Sequence, residues 1–381
     1  MSSGRGDGFR LVSHSGLDGC GDGMQVLREG DALYVAHYGK SGMGTTVLDV
    51  SDAARPRIVD QWPAPAGTHT HKVQVADGLM LVNEERFKGA GEWSAGMVVY
   101  SVSEPLAPRR LGRFELGGEG VHRIVWTGGR YAHASVTPEG YADRIWMMID
   151  LADPSRPVEA ARWELDEPQP EGKRYAAHHA LVEDGIGYLG YGDAGLLVLD
   201  LAEITRPRLL ARLGWEPGGG THTCLPLPGR GLVAVTDEQM TDGPGAPPRL
   251  VRVVDVSDPA APAVVGVCPA PGAEFDALPL RYGPHNLHEN RAGSYRSARV
   301  VFATYFNAGL RVYDLADPAA PAEVAWWVPD APGDQGVAQT NDLFVEESGR
   351  TWITDRFTGG LHCLEPEPAL AELLRAARLA K

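Results

Sequence analysis

The chain has 381 residues with 35 Lys+Arg against 50 Asp+Glu, a formal net charge of −15, which excludes a nucleic-acid binder that works through a cationic face. Its 43% hydrophobic and 22% charged residues are those of a globular protein with a sizeable core. The 47 Gly and 29 Pro are too many for long helices and point to frequent turns.

The first fifteen residues hold no continuous apolar run, so no secretory signal peptide is expected. No stretch approaches the ~18 apolar residues of a membrane span; the expected compartment is the cytoplasm, with no membrane partner. Cys20, Cys224, Cys268 and Cys363 contain no C-x-x-C pair and are too sparse for a disulfide framework. Cys268 and Cys363 read as small apolar strand residues. FRLVSHSG, residues 9–16, resembles the fourth strand of the repeat that follows. From Thr45 onward one pattern recurs six times: TTVLDVSDAARPRIVDQW, GMVVYSVSEPLAPRRLGRF, IWMMIDLADPSRPVEAARW, GLLVLDLAEITRPRLLARL, LVRVVDVSDPAAPAVVGVC and GLRVYDLADPAAPAEVAWW.

In this unit β-branched and aliphatic residues make a strand, and Asp49, Asp150, Asp200, Asp255 or Asp314 closes it. Side-chain acceptors and a Pro then set a tight turn. A strand pair precedes each copy, as in KVQVADGLMLVNEE, ALVEDGIGYLGYGD and VVFATYFNAGL, so one repeat is four strands, the roughly 40–50 residues of a β-propeller blade. The predicted fold is all-β: a seven-bladed β-propeller in one domain over 1–381, with blades near 17–66, 67–117, 118–172, 173–217, 218–277, 278–332 and 333–366. The seventh copy, NDLFVEESGRTWITDRFTGGLHCLE, has three strands. The N-terminal strand 9–16 is predicted to complete it, closing the ring and removing free sheet edges. Residues 368–381, with Leu370, Leu373, Leu374 and Leu379 at helical spacing, are predicted to form a short C-terminal helix capping the outside.

VLDVSDAARP, VVDVSDPAAP and VYDLADPAAP resemble the LVIVD-repeat family of β-propellers. More distantly the chain is similar to selenium-binding-protein-like methanethiol oxidases and to carotenoid oxygenases. The first resemblance implies a propeller over nearly the whole chain; the second implies metal-dependent oxidation, although one fold hosts many chemistries.

Of the twelve histidines, five fall just ahead of an innermost strand: His71, His122, His178, His222 and His285. GTHTHKV aligns with GTHTCLP better through His69 than through His71, so both are kept as candidates. Gly23 and Gln339 or Asn341 stand at the corresponding places in the first and seventh blades, leaving the ring open on one side. Innermost strands line the axis, so equivalent positions converge. Neutral imidazoles suit a divalent transition metal, with iron or copper favoured and manganese or zinc possible; a structural zinc usually takes sulfur in a closed tetrahedron, and Cys224 is the one soft candidate. The alternative is that the imidazoles only hydrogen-bond blade to blade. His37, His133, His179, His288 and His362 are expected at surface or packing positions.

The loops after the second strands reach the same face. Glu84, Glu85, Asp237, Glu238 and Asp355 are candidates to orient imidazoles or move protons, with Glu238 and Glu84 the named catalytic candidates. Tyr191, Tyr305, Phe306 and Phe357 are candidate pocket walls. Insertions at 87–93, 138–141, 168–175, 240–248 and 275–282 carry Trp93, Tyr141, Tyr175, Phe275 and Tyr282, suggesting an aromatic lid and an apolar or aromatic substrate. No nucleophile elbow, phosphate loop or dinucleotide motif occurs. The expected function is a metal-dependent oxidoreductase of oxygenase type acting on a small molecule with dioxygen. Alternatives are a metal-dependent lyase or hydrolase, or a non-catalytic binding scaffold.

Overall fold

The computed structural model describes residues 4–216, 219–244 and 249–380. They form an all-β structure with one ten-residue helix at the C-terminal end. The chain begins its first sheet with Gly23–Glu29, Ala32–His37, Met43–Asp49 and Arg57–Pro63, each strand pairing antiparallel with the next. The same four-strand meander recurs in Ala180–Glu183 to Arg208–Leu213 and in Thr221–Leu227 to Ala263–Val267. Two further meanders, Val73–Ala76 to Arg109–Glu115 and Gly120–Val125 to Val158–Trp163, are joined through the pair Gly120 and Glu85 into one nine-stranded sheet that also takes in Thr68–His69.

The turn chemistry expected of the repeat is present. The carboxylates of Asp49, Asp150, Asp200, Asp255 and Asp314 each accept the backbone N–H two residues on. Four of these acids also take an arginine: Asp49 with Arg57, Asp150 with Arg130, Asp200 with Arg208 and Asp314 with Arg299. One bulge interrupts the third and fourth strands at the same place in six meanders, from Val47/Leu48 to Val312/Tyr313. A bulge sharpens the right-handed twist, which turns the outermost strand towards solvent and explains exposed Val59, Leu111, Val158 and Leu209 there.

The two ends of the chain close the structure. Phe9–Ser15 pairs with Leu361–Pro366 beside Thr351–Asp355 and Thr340–Val345, as expected. Gly4–Asp7 adds a further strand outside Ala322–Pro329, which no repeat pattern announced. In that sheet the innermost segment, residues 285–288, bonds along Val300–Thr304 as an irregular stretch. The helix Pro368–Ala377 starts on a proline at its first turn and buries Leu370 and Leu374 against Phe9 and Leu364. No helix among the described residues is long and apolar enough to cross a membrane.

Candidate metal centre

Inner strands carry a second set of bulges, and these aim the axial side chains. Pairing shifts between Val121 and Arg123 and between Thr221 and Cys224, leaving His122 and His222 in the unpaired position. The same shift falls at Met24 in the first sheet and at Asn341 in the last. The non-histidine positions of the ring are therefore Met24 and Asn341, rather than Gly23 or Gln339. His178 and His285 occupy the equivalent place before their strands, where the His178 and His285 amides bond to Gly190 and Thr304.

The imidazoles form a continuous run. Ring centroids are 3.7 Å apart for His69 and His71, 5.1 Å for His71 and His122, 5.0 Å for His122 and His178, 3.7 Å for His178 and His222, and 4.4 Å for His222 and His285. Both His69 and His71 thus join the cluster. Three groups bring ligand atoms within metal-binding reach: His69, His71 and Glu85; His178, His179 and His222; and His222, Glu238 and His285.

Nδ1 is anchored in three rings of the run. His122 Nδ1 donates to both oxygens of Glu85 at 2.9 Å, His285 Nδ1 donates to the Asn341 carbonyl at 2.6 Å, and His222 Nδ1 meets Thr223 Oγ1 at 2.9 Å. This leaves Nε2 facing the run: His122 Nε2 is 3.1 Å from His178 Nε2. Four nitrogens, His69 Nδ1, His71 Nε2, His178 Nδ1 and His222 Nε2, are buried without a hydrogen-bond partner. Burial is the main cause holding all these rings neutral: His69 is lowered to about 4, and His71, His122, His178, His222 and His285 well below 6.5.

Of the two neighbouring acids, Glu85 faces the rings and Glu84 does not. Alternation along Leu79–Arg86 puts Asn83 and Glu85 on the histidine side, where the Asn83 amide donates to the Val121 carbonyl and lies 3.2 Å from His71 Nδ1. Glu84 turns the other way and takes Arg113 Nε at 2.7 Å and Ser94 Oγ at 2.9 Å; as a candidate acid at the axis it is replaced by Glu85, whose proton affinity burial raises. Glu238 does reach the run, Oε2 lying 3.7 Å from His222 Nε2 and Oε1 3.7 Å from His285 Nε2, and Oε1 also accepts from Arg281 Nη1 at 2.6 Å. Asp237 is bound by Arg252, Trp215 Nε1 and Thr221 Oγ1, and Asp355 caps the amides of Gln339, Phe357, Thr358 and Gly359. Both are structural acids. Cys224 packs among Val198, Val233 and Val254, so it offers the imidazoles no soft ligand.

Below the run the pore is filled with charge. Lys72 is buried, and its charge lowers the proton affinity of His69, His71, His122, His222 and His285. His179, expected only to pack, lies 2.9 Å from Glu289 Oε1 and bonds Thr223 Oγ1 through Nδ1. Arg123 Nη2 also donates to Glu289. Arg291 reaches across to the carbonyls of Val75 and Trp126 and plugs the far end. Arginines carried on neighbouring strands gave no spacing signal, so this floor was invisible beforehand. His37 bonds Asp22 and Thr46, His288 bonds the Tyr295 carbonyl, His133 is half-buried against Trp146, and His362 is buried elsewhere, all at the surface or packing positions expected.

The open end is a cavity of about 460 Å³ whose lining includes Arg144, Lys173, Arg174, Arg249, His178 and Glu238. This corrects the aromatic lid: Trp93, Tyr141, Tyr175, Phe275 and Tyr282 do not line it. Trp93 bonds the Gly118 carbonyl, Tyr175 is held by Arg212, and Phe275 and Tyr282 belong to a core cluster. Tyr191 and Tyr305 are core residues too. Residues 245–248 of the 240–248 insertion lie outside the described residues. Phe306 does approach, its ring 4.8 Å from His285 on a backbone at φ +43°, a conformation rare outside glycine that tends to be kept at functional sites. Phe357 sits further out beside Lys40.

Residues 250–269 match the LVIVD repeat family. No curated protein matches the chain. Among solved structures it is similar to the WD40 β-propeller domain of Doa1 (7% identity, 95% of this chain and 98% of that one, TM-score 0.60). It is also similar to Sqt1 from Chaetomium thermophilum (12%, 90% and 82%, TM-score 0.56) and to the computationally designed Ika8 protein (11%, 93% and 98%, TM-score 0.51). At these identities the likeness concerns the fold.

Proposed function

We propose that this LVIVD-repeat β-propeller is a metal-dependent enzyme whose axial imidazoles hold one divalent transition metal and act on a small organic molecule. Taking the nine-stranded sheet as two blades joined at Gly120 and Glu85 gives seven blades in a ring, the last completed by the N-terminal strand. The observation that carries the proposal is the split use of three of the rings. Nδ1 of His122, His222 and His285 is fixed by a carboxylate, a hydroxyl or a carbonyl, the arrangement that orients metal-ligating histidines, while Nε2 faces the run. Inter-blade hydrogen bonding and metal ligation are therefore compatible: the two use different nitrogens of the same ring.

His122, His178, His222 and His285 are the principal ligands in this proposal, with His69 and His71 beside them. The donor set is nitrogen with flanking carboxylate and no thiolate, which favours iron or copper over a structural zinc. When bound, the metal supplies Lewis acidity and, if iron or copper, access to dioxygen. Glu238 takes or returns a proton at the substrate, Glu85 holds His122 in one tautomer, and Arg291 with Glu289 seals the far end against water. A redox step distinguishes the oxygenase reading from a lyase or hydrolase using the same centre; the second is favoured by Glu238, a base within 3.7 Å of two candidate ligands. With all four cysteines unpaired, the cytoplasm is the proposed compartment.

Metal analysis of the untagged protein tests the centre: iron or copper near one per chain is expected. No stoichiometric iron, copper, manganese or zinc after reconstitution removes the basis of the proposal and leaves a binding scaffold. Turnover that continues without dioxygen, equally well with zinc, assigns the non-redox chemistry.

A further inference from the structure

Cationic side chains wall the mouth of the cavity, and all but one of those with a resolved set of partners are already neutralised. Arg174 closes on Asp143 through Nε at 2.6 Å and Nη2 at 2.9 Å, and Lys173 Nζ lies 3.3 Å from Glu216. Arg281, behind Glu238, is taken by that carboxylate. Arg144 is different. Its Nε is buried without a hydrogen-bond partner, and its guanidinium makes no ion pair among the described residues. Its backbone carbonyl accepts the Ala177 amide at 2.9 Å, so it is tied to the segment that carries His178. It lines the same cavity as His178 and His222, and its charge is the largest electrostatic influence on His122 after burial.

A half-buried guanidinium that has one buried nitrogen without a partner, makes no ion pair and feels Glu85 and Asp143 only at a distance is a costly arrangement in an empty cavity. We propose that Arg144 seats the carboxylate of a small organic acid, so that the rest of the substrate lies over the imidazoles; this names the substrate class of the enzyme proposed above and rests on that reading. The guanidinium fork matches a carboxylate through two parallel N–H donors. Only one positive charge at the mouth lacks a partner among those cations, which suits a monoanion, and Glu238 at the base of the cavity opposes a dianion such as phosphate. Ala176, Gly192, Gly220 and Met240 give the carbon skeleton small or apolar walls, in a volume of about 460 Å³ typical of small-molecule sites. The acid is thus expected to be compact, and the substrate is distinguished from neutral aromatics by charge.

The test is calorimetric titration of acetate, pyruvate and benzoate into the full chain, with benzamide and inorganic phosphate as controls and metal content measured in every sample. At least one carboxylate should bind saturably. Arg144→Met should weaken it about tenfold to a hundredfold, the worth of one charge-assisted pair. Arg144→Lys should restore part of that loss, and benzamide should bind at least about tenfold more weakly than benzoate if benzoate is the ligand. The inference is overturned if none of the three acids binds, if Arg144→Met and Arg144→Lys both bind as the wild type does, or if phosphate binds more tightly than every acid. Binding that depends on Arg144 in protein that never takes up metal refutes the metal centre and upholds the carboxylate seat. Full metal content with binding indifferent to Arg144 refutes the seat alone.

Discussion

Glu84 and Glu85 are adjacent glutamates on one strand, yet their replacement should have opposite consequences. Glu85 holds His122 Nδ1 with both oxygens at 2.9 Å and lies 3.9 Å from His71 Nε2. Glu85→Gln keeps an acceptor but removes the charge that fixes the His122 tautomer and raises its basicity as a ligand. Loss of such a partner costs about 10–100-fold in metal affinity, or about 1.4–2.7 kcal/mol. Glu84→Gln instead strips a buried charge from Arg113 and Ser94 on the opposite side of the strand. It should destabilise the fold by about 1–3 kcal/mol and leave metal affinity unchanged. Competition titration against a chelator measures the affinity, and urea denaturation of metal-free protein the stability. Equal metal affinities for the two variants, or a larger defect for Glu84→Gln, would refute both the assignment of Glu85 and the alternation on which it rests.

Replacing His122, His178, His222 and His285 together by Ala should abolish stoichiometric metal while the far-ultraviolet circular dichroism of the sheets is kept; retained metal places it elsewhere. Glu289→Ala leaves Arg123 and Arg291 buried without their shared acid and should cost about 3–5 kcal/mol in urea denaturation; a loss below about 1 kcal/mol shows that water already screens this floor. Stability of the metal-free protein should fall as pH drops from about 6.5 towards 4, because the buried imidazoles, lowered to about 4 in His69, bind protons in the unfolded chain first. Each such ring contributes up to about 1.4 kcal/mol per pH unit in that window and nothing above it. Glu85, Glu183, Asp237, Asp342 and Asp355, with their proton affinities raised by burial, act in the opposite sense and reduce the slope, but the lowered histidines outnumber them. Denaturation midpoints at pH 7, 6 and 5 check this, and a flat profile excludes buried neutral histidines.

Periodic features were legible in the sequence; features that depend on parity or on chains meeting across the ring were not. The Asp-closed strand and its turn recur at a fixed place, so five carboxylates capping nearby turn amides could be expected from the repeat pattern. The histidines were legible for the same reason, one per repeat. Which residue of each inner strand turns to the axis was not, because the bulges at His122, His222, Met24 and Asn341 insert an unpaired residue without changing the local pattern of residue types. That is also why Glu84 and Glu85 looked equivalent. Arg144, Arg123 and Lys72 escaped notice because a lone cation in a strand-rich stretch ordinarily means a solvated face; only the meeting of separate sheets buries it. The aromatic lid was inferred from residue types in long insertions, whereas those rings are spent on carbonyls, arginines and the core.

The net charge of −15 and the basic mouth act over different distances. At physiological salt the Debye length is about 8 Å, so the overall charge is largely screened beyond one layer of side chains. An approaching anion is governed by the groups that wall the cavity, and among these Arg174 and Lys173 are tied to Asp143 and Glu216. Arg144, which makes no ion pair among the described residues, adds its field at short range, in a partly desolvated site where a paired charge counts for more than in water. With Arg291 bonded at the opposite end of the pore, a ligand in the cavity lies beside this guanidinium together with His178 and His222. In the proposed seat, one side chain sets the orientation of the substrate over the imidazoles. Discrimination should follow the charge of the small molecule rather than its aromatic character.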